Sequence, residues 1–178
     1  MEVRTENWIG YRPDDPFDGI ISIGAFEHFA RPDDTPAGKH AVYRDFFTKC
    51  HEWLRPGGLL SLQTVAYANM SAEDASPFFQ QEIFPNAELP TLAEISAAAD
   101  GLFEIRSLTN GRLDYARTCE AWVSRLKARR EEAEALVGPE MTARFVRYLT
   151  MSAVGFRMEK LGLLRIVLRP YRRHRFGS

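Results

Sequence analysis

Short apolar runs alternate with amphipathic stretches along the first third of the chain. At residues 17–24, a run of β-branched side chains closed by a glycine predicts a buried strand. Apolar side chains recur with helical spacing over residues 41–54, until the Pro-Gly-Gly sequence at 56–58 stops the pattern. A further apolar run at 59–65 completes a strand–helix–strand unit, which favours a parallel sheet.

A long connection of mixed polarity follows, over residues 66–90, and we interpret it as a loop or lid with one short helix near 78–83. Thr91 and Glu94 then form a capping-box pattern, in which each side chain satisfies a free backbone amide of the other residue. The helix that this box opens is expected to stop at Gly101.

The last third of the chain predicts a strand at 102–108, helices at 112–136 and 139–160, and a strand at 162–168. This order of elements is typical of an open α/β domain. We expect residues 1–178 to form a single, partial domain. Its units are a strand–helix–strand unit at 17–65, the loop or lid at 66–90, C-terminal helices and strands at 91–168, and a basic tail at 169–178.

Composition is that of a globular protein, with 45% hydrophobic and 26% charged residues among 178. A formal net charge of -1 gives no overall field that would attract nucleic acid. Cys50 and Cys119 have no partner at metal-ligand spacing, so neither a zinc site nor a disulfide framework is predicted. No apolar run approaches the length of a membrane span, and we expect a cytoplasmic protein.

Basic residues cluster at the end of the chain, in the last predicted strand and the tail. A cluster of this kind suits peripheral contact with phospholipid head groups, and a solvated tail is an equally good interpretation. The cluster consists of Arg165, Arg169, Arg172, Arg173, His174 and Arg175.

The segment from Phe17 to Phe29 closely resembles the strand and active-site loop of the cyclopropane fatty acid synthases and mycolic acid cyclopropane synthases. Other segments match the family in the same order along the chain, which makes the set more specific than any single motif. They are residues 53–58, 83–85, 89–90, 115–118 with Trp122, and 148–156.

This resemblance implies a class I methyltransferase fold of the Rossmann-like type. In the family, a methyl group passes from the sulfonium of S-adenosylmethionine to an alkene, here of a lipid, isoprenoid or polyketide-like chain. The carbocation then loses a proton, which closes a cyclopropane ring or leaves a methylated alkene. The family binds a bicarbonate ion that is thought to act as the base.

By motif match, the residues that hold this ion correspond to Glu27 and Tyr115, with Ile23 contributing backbone groups. Gln63 occupies a position where several family members have a histidine that binds the ion. Because a glutamine can donate a hydrogen bond but cannot become cationic, this substitution weakens the expectation of a tightly held anion.

The same match places Gly24 and His28 beside the cofactor. Trp8, which we expect at the end of a preceding strand, matches an aromatic residue that packs on adenine, and Asn7 adjoins it.

Glu27 follows the first predicted strand and is flanked by Phe26 and Phe29. We expect the three side chains to form a negative and π-rich wall, because a carbocation is stabilised by such a wall in a water-excluded cavity. The alternative is that Glu27 and His28 cap the next helix, and that Tyr115 packs with its hydroxyl in water.

The family's glycine-rich cofactor loop has no counterpart, since none of the 12 glycines falls in a G-x-G pattern. We interpret the chain as starting at the third strand of the fold. It is a truncated enzyme, one subunit of a split enzyme, or a module reused for binding or for a cofactor-independent cyclisation. A homodimer or a partner chain that completes the sheet is expected, because an exposed strand edge promotes association.

Overall fold

The computed structural model describes residues 3–171. The strands are β1 (Phe17–Ile23), β2 (Leu54–Tyr67), β3 (Phe103–Asn110) and β4 (Leu161–Pro170). The helices are α1 (Pro36–Trp53), α2 (Leu92–Ala99), α3 (Arg112–Ala128) and α4 (Arg130–Arg157). Short helical turns lie at Phe26–His28, Ala72–Asp74 and Phe79–Ile83.

The described strands form one mixed sheet in the order β1-β2-β4-β3. β1 and β2 are parallel, as the strand–helix–strand pattern predicts, and α1 connects them. β4 lies antiparallel to both β2 and β3, so the sheet as a whole is not parallel. The α/β prediction is confirmed.

Helix α1 begins five residues before its predicted start. Thr35 caps it by accepting a hydrogen bond from the amide of Gly38 at 3.1 Å, and Pro36 occupies the first helical turn. Because these first residues lack apolar periodicity, the cap was the only signal of the earlier start.

Strand β2 also begins earlier than predicted, directly after α1. The Pro-Gly-Gly sequence forms a bulge at 55–58 opposite Asp18, rather than a turn ahead of the strand. Gly57 has a φ of 88°, and a Cβ atom on Gly58 would lie 3.0 Å from the carbonyl oxygen of Asp18. Glycine is therefore required by backbone conformation at one position and by close backbone approach at the other.

The main core lies between the sheet and helices α1 and α2. Phe26 stacks on Tyr43 of α1, with ring centroids 4.4 Å apart, and both side chains are fully buried. The predicted capping box at the start of α2 is confirmed, since Thr91 accepts from the amide of Glu94 at 3.2 Å and its own amide donates to that carboxylate at 2.6 Å.

Helices α3 and α4 cover part of the opposite face of the sheet. They meet at Arg129, earlier than the predicted boundary, and α4 is interrupted at Gly138, where φ is 83° and ψ is 162°. The predicted helix start at Pro139 thus marks this interruption. The predicted strand ending at Trp8 is wrong, because residues 3–8 form no strand and the chain turns there through a hydrogen bond from Gly10 to Asn7.

A buried ionic cluster ties α1 to the segment before α2. The Lys39 ammonium lies 3.1 Å from Glu94 and donates to the carbonyl oxygen of Leu89 at 2.9 Å. It also lies 4.0 Å from Glu88, whose pKa is raised by burial while Lys39 opposes the shift. Burial raises the pKa of Tyr67 at the end of β2, and the nearby Glu88 carboxylate adds to the shift.

Replacing Lys39 with methionine is expected to lower the free energy of unfolding by about 3 kcal/mol, since it leaves the buried Glu88 carboxylate without its neighbouring cation. Lys49→Met, which removes a pair with the exposed Asp45, is the matched control and is expected to cost less than about 1 kcal/mol. Chemical denaturation measures both values.

The Lys39→Met loss is also expected to depend on pH. Lys39 opposes the rise in the pKa of Glu88, so its removal raises that pKa further, and the variant loses more stability than wild type as pH rises above the ordinary pKa of glutamate. The difference from wild type should therefore shrink as pH is lowered from neutrality towards that pKa. A difference that is constant with pH would contradict this assignment.

Candidate active site

A cavity of about 400 Å³ opens at the carboxyl ends of β1 and β2. Its walls come from the sheet, from α3 and α4, and from residues 68–90, which we name the covering segment. Most of the wall is apolar or aromatic. The aromatic lining residues are Tyr67, Phe79, Phe84, Tyr115, Tyr148 and Phe156.

Glu27 supplies a carboxylate to this apolar wall. The chain leaves β1 through Gly24, whose φ of 63° redirects the backbone into the short turn that carries Glu27. The glutamate is 9% exposed, and the Thr64 hydroxyl donates a hydrogen bond to its Oε2 at 2.8 Å. Because Thr64 is itself buried in β2, this bond fixes the carboxylate relative to the sheet.

The aromatic wall is not formed by the neighbours of Glu27, so the expectation for Phe26 and Phe29 is wrong. Phe26 stacks on Tyr43 in the main core, and Phe29 packs 4.9 Å from Trp8. The short helical turn points successive side chains in different directions, which separates both rings from the carboxylate.

Two tyrosines from the helices face the cavity instead. Tyr115 of α3 packs edge-on against Phe156 of α4 at 5.1 Å, and Tyr148 of α4 packs against Phe84 of the covering segment at 5.7 Å. Burial raises the pKa of Tyr115, with Glu27 adding to the effect, and raises the pKa of Tyr148 to about 12. Both hydroxyls are therefore protonated donors near neutral pH.

His28 also lines the cavity, next to Glu27, and its ring lies 5.7 Å from that of Phe84. Gly24 lies at the start of the same turn, and a Cβ atom there would meet nothing closer than Glu27 Oε1 at 4.0 Å. Glu27, His28 and Tyr115 thus converge on one cavity, with Gly24 at its edge.

Ile23 and Gln63 lie outside the cavity lining. They are partners across β1 and β2, and the amide of Gly24 donates to the Gln63 carbonyl oxygen at 3.1 Å. The Gln63 side chain accepts a hydrogen bond from Arg165 Nε at 2.7 Å. The proposed roles of both residues at an anion site remain predictions.

Trp8 and Asn7 also lie outside the lining. Trp8 is half-buried and packs on Phe29 and Phe46, with ring centroids 4.9 and 5.6 Å away. The Asn7 side chain accepts a hydrogen bond from the amide of Ile9 at 2.9 Å. Their predicted contacts with a cofactor remain predictions.

Sequence reasoning missed Thr64, which holds Glu27 from the core side, and several residues that line the cavity. Thr64 follows Gln63 on β2, and strict alternation along the strand points the two side chains to opposite faces. Tyr148 lies one turn before Ser152 and two before Phe156, a helical spacing that marks one face of α4. Lys160 and the aromatic residues of the covering segment had no local signal.

The structure describes only the first two residues of the basic cluster. Arg169 pairs with Glu104 of the neighbouring strand, and Arg165 pairs with Gln63, so both are engaged within the sheet. Residues 172–175 lie outside the described residues. Within residues 3–171, no helix is both long and apolar enough to cross a membrane.

The fold is that of the class I methyltransferases that use S-adenosylmethionine. A solved structure of the cyclopropane synthase MmaA2 from Mycobacterium tuberculosis matches with a TM-score of 0.76 and 29% identity, over 89% of this chain and 56% of that one. The mycolic acid cyclopropane synthase CmaA1 complexed with SAH and CTAB matches with a TM-score of 0.74 and 29% identity, over 90% and 57% of the two chains.

The chain belongs to the mycolic acid cyclopropane synthetase family, whose model matches residues 1–166. Cyclopropane mycolic acid synthase 3 from Mycobacterium tuberculosis is 30% identical over 168 residues, which are 87% of this chain and 55% of the relative. The family resemblance is confirmed. The chain spans about half the length of the curated relatives it matches.

The bond between Thr64 and Glu27 can be measured with a double-mutant cycle. Thr64→Val removes the donor at nearly constant volume and is expected to lower the free energy of unfolding by about 1–3 kcal/mol, because it leaves a buried carboxylate oxygen unsatisfied. In a Glu27→Ala background the same change should cost less, with a coupling energy of about 1 kcal/mol or more.

Thr48→Val, at a hydroxyl that bonds within α1 away from the cavity, is the matched control and should show no coupling to Glu27. Chemical denaturation of the single and double variants gives the cycle. Additive effects of Thr64→Val and Glu27→Ala would show that the bond does not hold the carboxylate.

Proposed function

We propose that the chain forms the acceptor-substrate side of a C-methyltransferase that methylates or cyclopropanates the alkene of a lipid-like chain. The observation that carries this proposal is the buried Glu27 carboxylate in an apolar cavity that also contains two protonated tyrosines. A negative group in a low-dielectric, water-excluded wall stabilises a carbocation more strongly than it does in water.

Glu27 and Tyr115 would organise the base. Since burial keeps the Tyr115 phenol protonated, it can donate a hydrogen bond to an anion such as bicarbonate. The Glu27 carboxylate can accept a hydrogen bond from the hydroxyl of the same ion, while Thr64 holds the carboxylate in place. The anion would then take the proton that the substrate carbocation loses.

The edge of this cavity also fits one side of a cofactor. Gly24 follows β1 in the left-handed conformation, and a Cβ atom there would meet only Glu27 Oε1, at 4.0 Å, among the described residues, so a ligand can approach the backbone closely. His28 lies beside it on the cavity wall. S-adenosylmethionine, when bound, supplies the methyl group from its sulfonium.

The composition of the cavity wall supports a lipid-like substrate. Methionine, leucine and aromatic side chains from the covering segment, α3, α4 and β4 surround a space of about 400 Å³, which suits part of an acyl or isoprenoid chain. The related CmaA1 structure contains SAH together with the amphiphile CTAB. A lipid-like substrate for the present chain is consistent with both observations.

The other half of the methyltransferase sheet would add to β1. Among the described residues, β1 pairs with β2 alone, so its other edge has unpaired backbone groups. Ile21 and Ile23 are 74% and 63% exposed on the sheet face at this edge. We propose that a partner chain or a second copy covers this edge and face.

Incubation with labelled S-adenosylmethionine and an unsaturated phospholipid tests the proposed activity. Glu27→Gln is expected to lower the rate of methyl transfer by at least about 100-fold, because it removes the charge that organises the base. Tyr115→Phe should lower it as well, and Lys127→Gln, an exposed change on α3, should leave it unchanged.

The assay needs two arms, the chain alone and the chain co-expressed with the N-terminal half of cyclopropane mycolic acid synthase 3. Absence of both cofactor binding and methyl transfer in both arms would reject the proposal. It would favour the non-catalytic or cofactor-independent module, for which Glu27→Gln leaves function intact.

Ile21→Lys is expected to weaken association through β1 by at least about tenfold, because it places a charge in a contact that buries apolar surface. Light scattering measures self-association, and calorimetry measures binding of the co-expressed half. Ile105→Lys on β3, at the opposite side of the sheet, is the matched control. A wild-type chain that stays monomeric and binds no partner would contradict the proposed contact.

A further inference from the structure

Lys160 provides a second charged group on the cavity wall, distant from Glu27. Its backbone accepts a hydrogen bond from Ala68 at 3.0 Å, and its ammonium donates to the carbonyl oxygen of Asn69 at 3.0 Å. Thr64, which holds Glu27, lies four residues before Ala68. At the rise of an extended chain, the backbone positions of Thr64 and Ala68 are about 13 Å apart.

A Schellman motif at the end of α4 positions Lys160. Its amide donates to the carbonyl of Gly155 at 3.0 Å, and the amide of Glu159 donates to that of Phe156 at 3.4 Å, which is the Schellman arrangement. Glu159 has a φ of 61°, a conformation that costs energy for a residue with a side chain. An ion pair with Arg112 at 2.6 Å holds Glu159 in this position.

The surroundings of Lys160 leave its ammonium able to bind an anion. One hydrogen-bond donor is used by Asn69, and an ammonium has three. The nearby Asp74 is exposed, and its Oδ2 already accepts from the amide and hydroxyl of Ser71, both at 3.0 Å. Apolar side chains of Met70 and Leu161 line the cavity beside the lysine.

We propose that Lys160 binds the phosphate head group of an acyl-chain substrate whose tail runs through the cavity towards Glu27. Among the described residues that line the cavity, these two are the ones with full charge, and their opposite signs set the direction of the chain. The inference rests on the proposed function for its assignment of Glu27 as the reacting end. It adds that the head group lies at the Lys160 end of the cavity and the alkene at the Glu27 end.

Calorimetry with the purified full chain tests this inference without a cofactor. The probes are monomeric dodecyl phosphate, dodecanol and inorganic phosphate. We expect dodecyl phosphate to bind at least about fivefold more tightly than dodecanol, because a charge-assisted hydrogen bond is added. Lys160→Gln should abolish this preference and leave dodecanol binding unchanged, whereas Lys127→Gln should preserve it.

Several outcomes would overturn the inference. For the wild type, they are no binding of dodecanol and no preference for dodecyl phosphate over dodecanol. For the variants, they are a preference for dodecyl phosphate that survives in Lys160→Gln and a loss of that preference in Lys127→Gln as large as in Lys160→Gln. Binding of inorganic phosphate that matches dodecyl phosphate would indicate a free-anion site instead. Since no methyl transfer is measured, loss of head-group preference in Lys160→Gln would support the inference even if the proposed activity failed.

Discussion

The candidate site depends on the alternation of side chains along β2. Thr64 faces the main core and reaches Glu27, while Val65 and Tyr67 face the opposite side and line the cavity. A shift of one residue would exchange these faces and separate the carboxylate from its donor. Pairing with β1 on one side and β4 on the other fixes the register, with Thr64 opposite Leu164.

The carboxylate and the two phenols of the cavity differ in their hydrogen-bonding roles. Glu27 receives a hydrogen bond from a neutral hydroxyl, whereas Tyr115 and Tyr148 have raised pKa values and remain uncharged donors. A second anion near Glu27 would repel it in a medium of low dielectric, but neutral phenols do not. The arrangement therefore places the Glu27 carboxylate beside an apolar space whose two tyrosine hydroxyls are uncharged donors.

Local features such as helix caps and helix boundaries were predictable from the sequence, whereas contacts between residues distant in sequence were not. The capping box of Thr91 and Glu94 depends on residues three apart, and the interruption at Gly138 depends on the glycine and the proline after it. Phe26 and Phe29 were assigned to the wrong environment, because the orientation of a side chain on a short turn depends on what packs against it. Family resemblance placed Glu27 and Tyr115, whose separation in sequence allows no local inference.

The covering segment is held differently at its ends and in its middle. The cluster around Lys39 fixes the end before α2, and the contacts of Lys160 with Asn69 fix the end after β2. Between them, the contacts with α4 are ring contacts such as Phe79 with Tyr148, Arg147 over the ring of Phe78 at 4.0 Å, and a solvent-exposed ion pair of Arg144 with Glu82 at 3.7 Å. Ring contacts can re-form on an acyl chain at small energetic cost, whereas a buried ion pair cannot separate without desolvated charges. We therefore expect the middle of the segment to be displaced more readily than the end that Lys39 holds.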